Sequence, residues 1–315
     1  MQGVTAFDPA KDIPDLTGKV ILVTGGTAGL GATSVRAFAA QNPSHIYFTG
    51  RNVSAANALI SEIKAKHPTA ALTFIEMDLS SLQSVKQGVL TGFKHDHLEI
   101  LINNAGIIAK PQGLSTDGYE IQFATNHLGH AMLTQQLLPY LLTATQTPGA
   151  DVRVVTVSSD GYAAHRGIKG GISFTELDSG STMSRTVLGP WVRYGQSKLA
   201  NILFASELAR RYPNITSVSI HPGVVETPMN TEMRGFNKKF VSITTWLGGI
   251  KWMKPEQGVL NQLWCAAGAK KEVLKNGGFY RPVGVDDWET LTKEARDGEL
   301  AKKLLDWTES VLDNF

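Results

Sequence analysis

The 315-residue chain has a single cysteine, Cys265, which excludes an intrachain disulfide and any cage of cysteine ligands around a metal. No uninterrupted apolar run approaches the roughly 18–20 residues needed to span a bilayer. Residues 1–19 mix Asp8, Lys11, Asp12 and Asp15 with Pro9, Pro14 and Gly18, so they lack the apolar core of a signal peptide. There is almost no charge excess: 30 basic against 28 acidic residues leave +2, too little for a nucleic-acid footprint. Eight histidines occur, yet none forms His-Glu-x-x-His or joins Cys265 at metal-ligand spacing. No repeat and no low-complexity tract stands out. The absences predict a soluble, cytoplasmic protein that binds no metal and no nucleic acid. A further absence is local: between Asp15 and Glu62 there is no acidic residue at all.

What is present is a rhythm. Short apolar runs at 19–24, 45–49, 72–76, 98–103, 152–157, 215–220 and 278–281 alternate with helix-length stretches such as 55–66, 117–144 and 191–212. Several runs are nearly continuous in Val, Ile and Leu, as in strands covered on both faces. The alternation predicts an α/β fold, a Rossmann-type doubly wound parallel sheet of about seven strands with helices on both faces. Sites in such sheets lie beyond the carboxyl ends of the strands. The expected layout is an N-terminal extension over 1–16, one domain over 17–283 and a helical extension over 284–315. A Gly- and Ser-rich insertion over 161–190 and a segment over 228–255 interrupt the rhythm.

The first strand runs into Thr24-Gly25-Gly26-Thr27-Ala28-Gly29-Leu30-Gly31 and then a helix. Glycines let backbone N–H groups close on a pyrophosphate, which a helix N-terminus favours electrostatically. A glycine triplet alone is weak evidence; one that links a Val-Ile-Leu-Val strand to a helix points to a dinucleotide. NAD-binding loops place an acid some 20 residues further on for the ribose 2′-hydroxyl. Here the second strand is followed by Thr49-Gly50-Arg51-Asn52, and no carboxylate is near. A single arginine is usually a solvated cation, so the missing acid is the stronger half of the case for NADP(H).

Tyr194 and Lys198 stand four apart on a predicted helix and therefore share a face. A nearby ammonium would stabilise phenolate and make the phenol a usable acid or base. Taken alone, such a pair is commonly an exposed helix contact. It is accompanied here by Ser158 and Ser159 at the end of the fifth strand, Asn103-Asn104-Ala105-Gly106 at the end of the fourth, Asn126 on the long fourth helix, and His221-Pro222-Gly223 after the sixth.

In that order, with Asp78 after the third strand, these residues resemble the short-chain dehydrogenase/reductase family over about 15–282. Asn126-His-Leu-Gly-His130 and the stretch after Ser197 are most similar to its retinol-dehydrogenase and WW-domain-oxidoreductase branch. The resemblance implies an enzyme in which Tyr194 is the acid/base, Lys198 lowers its pKa and holds the nicotinamide ribose, and Ser159 orients the carbonyl, with Ser158 an open alternative. Asn126 would support a water-mediated proton relay. Gly25, Thr27, Ala28, Gly29, Leu30, Gly31, Arg51, Asp78, Leu79, Asn104, Ala105, Gly106, Pro222, Gly223, Val225 and Thr227 would hold the cofactor, with Tyr194 and Lys198. Homo-oligomers pairing through the fourth and fifth helices are compatible with it.

The 35 positions between Ser159 and Tyr194 exceed the spacing of many relatives, so the 161–190 insertion is expected to border the substrate pocket. Residues 233–255 contain Arg234, Lys238, Lys239, Lys251 and Lys254 interleaved with Phe236, Phe240, Trp246 and Trp252. They read first as a flap over a bulky lipophilic substrate, second as a patch with weak membrane-surface contact. The expected activity is NADPH-dependent interconversion of a lipophilic aldehyde or ketone and its alcohol. Its rivals are an NAD-dependent alcohol dehydrogenase and a catalytically silent NADP-binding regulator.

Overall fold

The computed structural model describes residues 4, 6–178, 187–226 and 252–315. Thr227, most of 228–255 and part of 161–190 lie outside the described residues, and with them all of the interleaved basic and aromatic patch except Trp252 and Lys254.

The apolar runs become strands β1 Val20–Val23, β2 His45–Gly50, β3 Leu72–Glu76, β4 Ile100–Asn103, β5 Arg153–Val157, β6 Thr216–Ile220 and β7 Phe279–Arg281. Together with β8 Val285–Asp286 they make one sheet of order 3-2-1-4-5-6-7-8. All neighbours pair parallel except β7 and β8, which are antiparallel. The eighth strand exceeds the seven expected and carries the sheet into the segment assigned to a helical extension. At two residues it is too short for any periodicity to announce it.

Alternate side chains of β1 enter two different cores, as the period of a strand requires. Val20 and Leu22 join one apolar layer, Ile21 and Val23 the other. Helices α1 Gly29–Ala39 and α2 Val53–Lys66 bury one face in the second layer. Helices α3 Leu82–Gly92, α4 Gly129–Ala144, α5 Gly189–Arg211 and α6 Gly298–Leu312 cover the first. Asn52, Ser81 and Asp297 cap α2, α3 and α6 by accepting from backbone N–H groups of the first turns.

The predicted helix over 117–144 starts later. Leu114 and Glu120 form a β-bridge, and the Asp117 carboxylate accepts from Leu82 N at 2.8 Å, tying this turn to α3. Helical structure begins at Ile121–Phe123, with Glu120 accepting from Phe123 N at 2.8 Å, and passes through a π turn over Ala124–Leu128 into α4. Within 161–190, Asp160–Gly167 is a 3-10 segment laid on α5, burying Tyr162 and His165. Val225 forms a parallel β-bridge with Met253.

Gly129 opens α4 where the helix crosses the end of β3, and a Cβ there would land on the Leu79 carbonyl. Gly129→Ala is expected to lower unfolding free energy by about 1–3 kcal/mol, read as a shifted urea midpoint. Gly113→Ala, with nothing within 4 Å of the added carbon, should change it by less than about 0.5 kcal/mol.

Candidate active site

Beyond the carboxyl ends of β1 to β6 lies a cleft of about 830 Å³. Its walls include Gly25, Thr27, Ala28, Gly29, Leu30, Arg51, Asp78, Leu79, Asn104, Ala105 and Gly106 on one side. Ser159, Tyr194, Lys198, Pro222, Gly223 and Val225 stand on the other. Two expected residues sit behind the wall. Gly31 is packed so closely beneath the loop that a Cβ would strike the Gly25 carbonyl, and Asn126 lies behind Gly106.

Gly25 adopts φ +64°, a left-handed conformation that favours glycine. The N-cap of α1 is Ala28, which supplies no side-chain cap, and the first turn carries no acid. The first N–H groups of α1 are therefore left for a ligand, and Gly29 and Leu30 line the cleft. This cradle fits an anionic dinucleotide. The expectation that no carboxylate stands near Arg51 is corrected here: the turn after β3 brings Asp78 to 3.9 Å from it, and the other Asp78 oxygen accepts from the Ser80 amide and hydroxyl at 2.9 and 2.7 Å.

The two serines have different neighbours. Ser158 is buried and donates its hydroxyl to the Lys198 carbonyl at 2.7 Å. Ser159 caps the 3-10 segment by accepting from Gly161 N at 3.0 Å, which leaves its hydroxyl hydrogen available. A Cβ on Gly161 would lie 2.9 Å from the Tyr194 ring and 3.3 Å from Ser159 Oγ, so the phenol and this hydroxyl border the same point.

Lys198 Nζ donates to the Val157 carbonyl at 2.9 Å and lies 5.8 Å from the Tyr194 ring centroid. Burial pulls its pKa down to about 7, since desolvation disfavours the ammonium. Burial also pushes Tyr194 up to about 12, against a smaller lowering by the Ser159 hydroxyl. The ammonium expected to depress the phenol does not dominate this protein-only cleft. Spacing along a helix places the pair, but desolvation of each group sets the direction of its shift.

Asn126 is fully buried in the π turn. Its Oδ1 accepts from Ile107 N at 2.8 Å, while Nδ2 donates to Ile107 O at 3.0 Å and Ser197 Oγ at 2.9 Å. Ser197 in turn donates to the Tyr194 carbonyl at 2.7 Å. Ile107, Ile108, Lys110, Ile121 and Trp191 also line the cleft and were missed from sequence. Trp191 alone left a signal, one helical turn before Tyr194. Of the insertion's described residues, Gly161 borders the cleft. Among the described residues no group of His, Cys, Asp and Glu is set to hold a metal ion, and no helix is long and apolar enough to cross a membrane.

The short chain dehydrogenase profile matches residues 19–174. The chain is 36% identical over 314 residues to the short-chain dehydrogenase/reductase drtF of Aspergillus calidoustus, covering 95% of each. It is 32% identical over 295 residues to human retinol dehydrogenase 11, covering 92% of this chain and 85% of that one. A crystal structure of an uncharacterized Mycobacterium paratuberculosis protein superposes with TM-score 0.70 at 27% identity, covering 99% and 98% of the two chains.

Depression of the Lys198 pKa has a measurable consequence. Between about pH 7 and 10.5 the unfolded chain holds a proton at this site that the folded one lacks, so stability rises with pH. Urea denaturation of the cofactor-free protein at about pH 7 and 9 should show that rise, and Lys198→Met should flatten it. Equal slopes would mean that the ammonium is not desolvated.

Proposed function

The chain belongs to the short-chain dehydrogenase family, and from that premise we propose that it is an NADPH-dependent oxidoreductase. Its substrate is the carbonyl or alcohol of a bulky lipophilic compound in a reducing, cytoplasmic setting. The single observation that carries this reading is the convergence of Ser159, Tyr194 and Lys198 in the cleft that also holds the glycine loop and the uncapped start of α1.

Residues 25–31 and the first turn of α1 would hold the pyrophosphate, and Arg51 the 2′-phosphate. Asp78, Leu79 and Asn104–Gly106 would border the adenosine half, with Pro222, Gly223, Val225 and Thr227 at the nicotinamide end. When bound, the cofactor supplies or accepts the hydride. The protein positions the carbonyl and manages the proton. Ser159 donates to the carbonyl oxygen and holds it against Tyr194. In reduction that oxygen takes the Tyr194 proton as the carbon gains hydride, and the phenol then recovers a proton from solvent past Lys198 and Asn126. A phenol that stays protonated at neutral pH suits the donor step, and a lysine titrating near 7 can carry a proton at little cost. Ile107, Ile108, Ile121 and Trp191 exclude water and favour a lipophilic substrate.

Tyr194→Phe should lower carbonyl reduction by at least about a hundredfold, with NADPH affinity unchanged. Near-normal turnover would remove Tyr194 from the acid/base role. Arg51→Ala should weaken NADPH binding by about tenfold and leave NADH binding unchanged. A wild type that prefers NADH would favour the NAD-dependent alcohol dehydrogenase instead.

A further inference from the structure

We propose that His130 is a positioning residue, which couples the backbone amides bordering the nicotinamide cleft to the carbonyl of Asn126. It rests on the reading of the cleft as a nicotinamide site, but its geometry is independent of substrate.

His130 is buried on α4, with Nε2 2.8 Å from Thr24 Oγ1 and Nδ1 3.0 Å from the Asn126 carbonyl oxygen. A carbonyl can only accept, so Nδ1 carries the hydrogen. Thr24 Oγ1 accepts from Asn104 N at 2.9 Å and Ala105 N at 3.0 Å, which fills both of its acceptor positions. Its one hydrogen must be donated, and His130 Nε2 is nearer than the Ile102 carbonyl at 3.4 Å. Nε2 is therefore the bare nitrogen, and the imidazole is neutral. Burial supports this by pulling its pKa to about 4, and the Lys198 charge acts in the same sense.

All donors in this chain run one way: from the amides of Asn104 and Ala105 to Thr24, from Thr24 to His130, and from His130 to Asn126. Each bond polarises the next in a buried, low-dielectric interior. At one end, Asn104 and Ala105 face the cleft. At the other, Asn126 holds Ile107 and Ser197. The ring is held at both nitrogens, by the Thr24 hydroxyl and by the Asn126 carbonyl. A histidine present only to fill space would leave this chain without function, and leucine would serve equally well.

Two measurements test it. Nitrogen-15 NMR of the wild-type protein should show His130 protonated at Nδ1 and bare at Nε2; the opposite tautomer, or a cation at neutral pH, overturns the inference without any mutation. Calorimetric titration with NADPH should show that His130→Leu and Thr24→Val each weaken binding about tenfold. The double variant should be within about threefold of either single one, because both break the same chain. His130→Gln, which keeps a donor and an acceptor, should bind within about threefold of wild type. Multiplying effects in the double variant, or wild-type affinity in His130→Leu, overturn it. A wild type that binds neither NADPH nor NADH would instead sink the proposed function while leaving the tautomer result standing.

Discussion

The Val157 carbonyl, at the end of β5, is the point on which the site depends. It accepts from Lys198 Nζ at 2.9 Å and from Asn201 Nδ2 at 3.0 Å, while the adjacent Ser158 hydroxyl returns to the Lys198 carbonyl at 2.7 Å. Three hydrogen bonds thus clasp one turn of α5 to the end of β5. An unpaired lysine in this buried position would be costly, so the clasp is also what makes a buried Lys198 tolerable. With α5 held there, Tyr194 meets Ser159 across the space that Gly161 leaves open.

The same economy recurs along the sheet edge. Asn126 in its π turn supports Ile107 on the cleft wall and, through Ser197, the backbone of Tyr194. Thr24 does the equivalent for Asn104 and Ala105. Thr24, Asn126 and Ser197 are thus each tied to protein partners. A π turn at the start of α4 fits that pattern, since such turns re-aim side chains at functional sites.

Much of the fold was readable because it is written locally. The seven apolar runs became strands at nearly the expected places, and the glycine loop joined the strand and helix that frame it. Tyr194 and Lys198 were legible for the same reason: a four-residue spacing on a helix fixes a shared face whatever surrounds it. The start of the helix carrying Asn126 was not, because Asp117 is bonded to Leu82 and Glu120 is used as a cap. Neither contact is visible in the periodicity.

Other features were decided by segments far apart in the chain. Nothing in Ser158-Ser159 distinguishes the two hydroxyls; the Lys198 carbonyl, 40 positions away, engages one of them and leaves the other beside Tyr194. The protonation behaviour of Tyr194 and Lys198 ran against the expected pairing, because desolvation belongs to the packed cleft and not to the helix that spaces them. Ile107, Ile108 and Trp191 became cleft walls only once β4, α4 and α5 converged. Spacing along a backbone encodes which groups can be neighbours; the loss of water and the arrival of distant partners determine which of them can do chemistry.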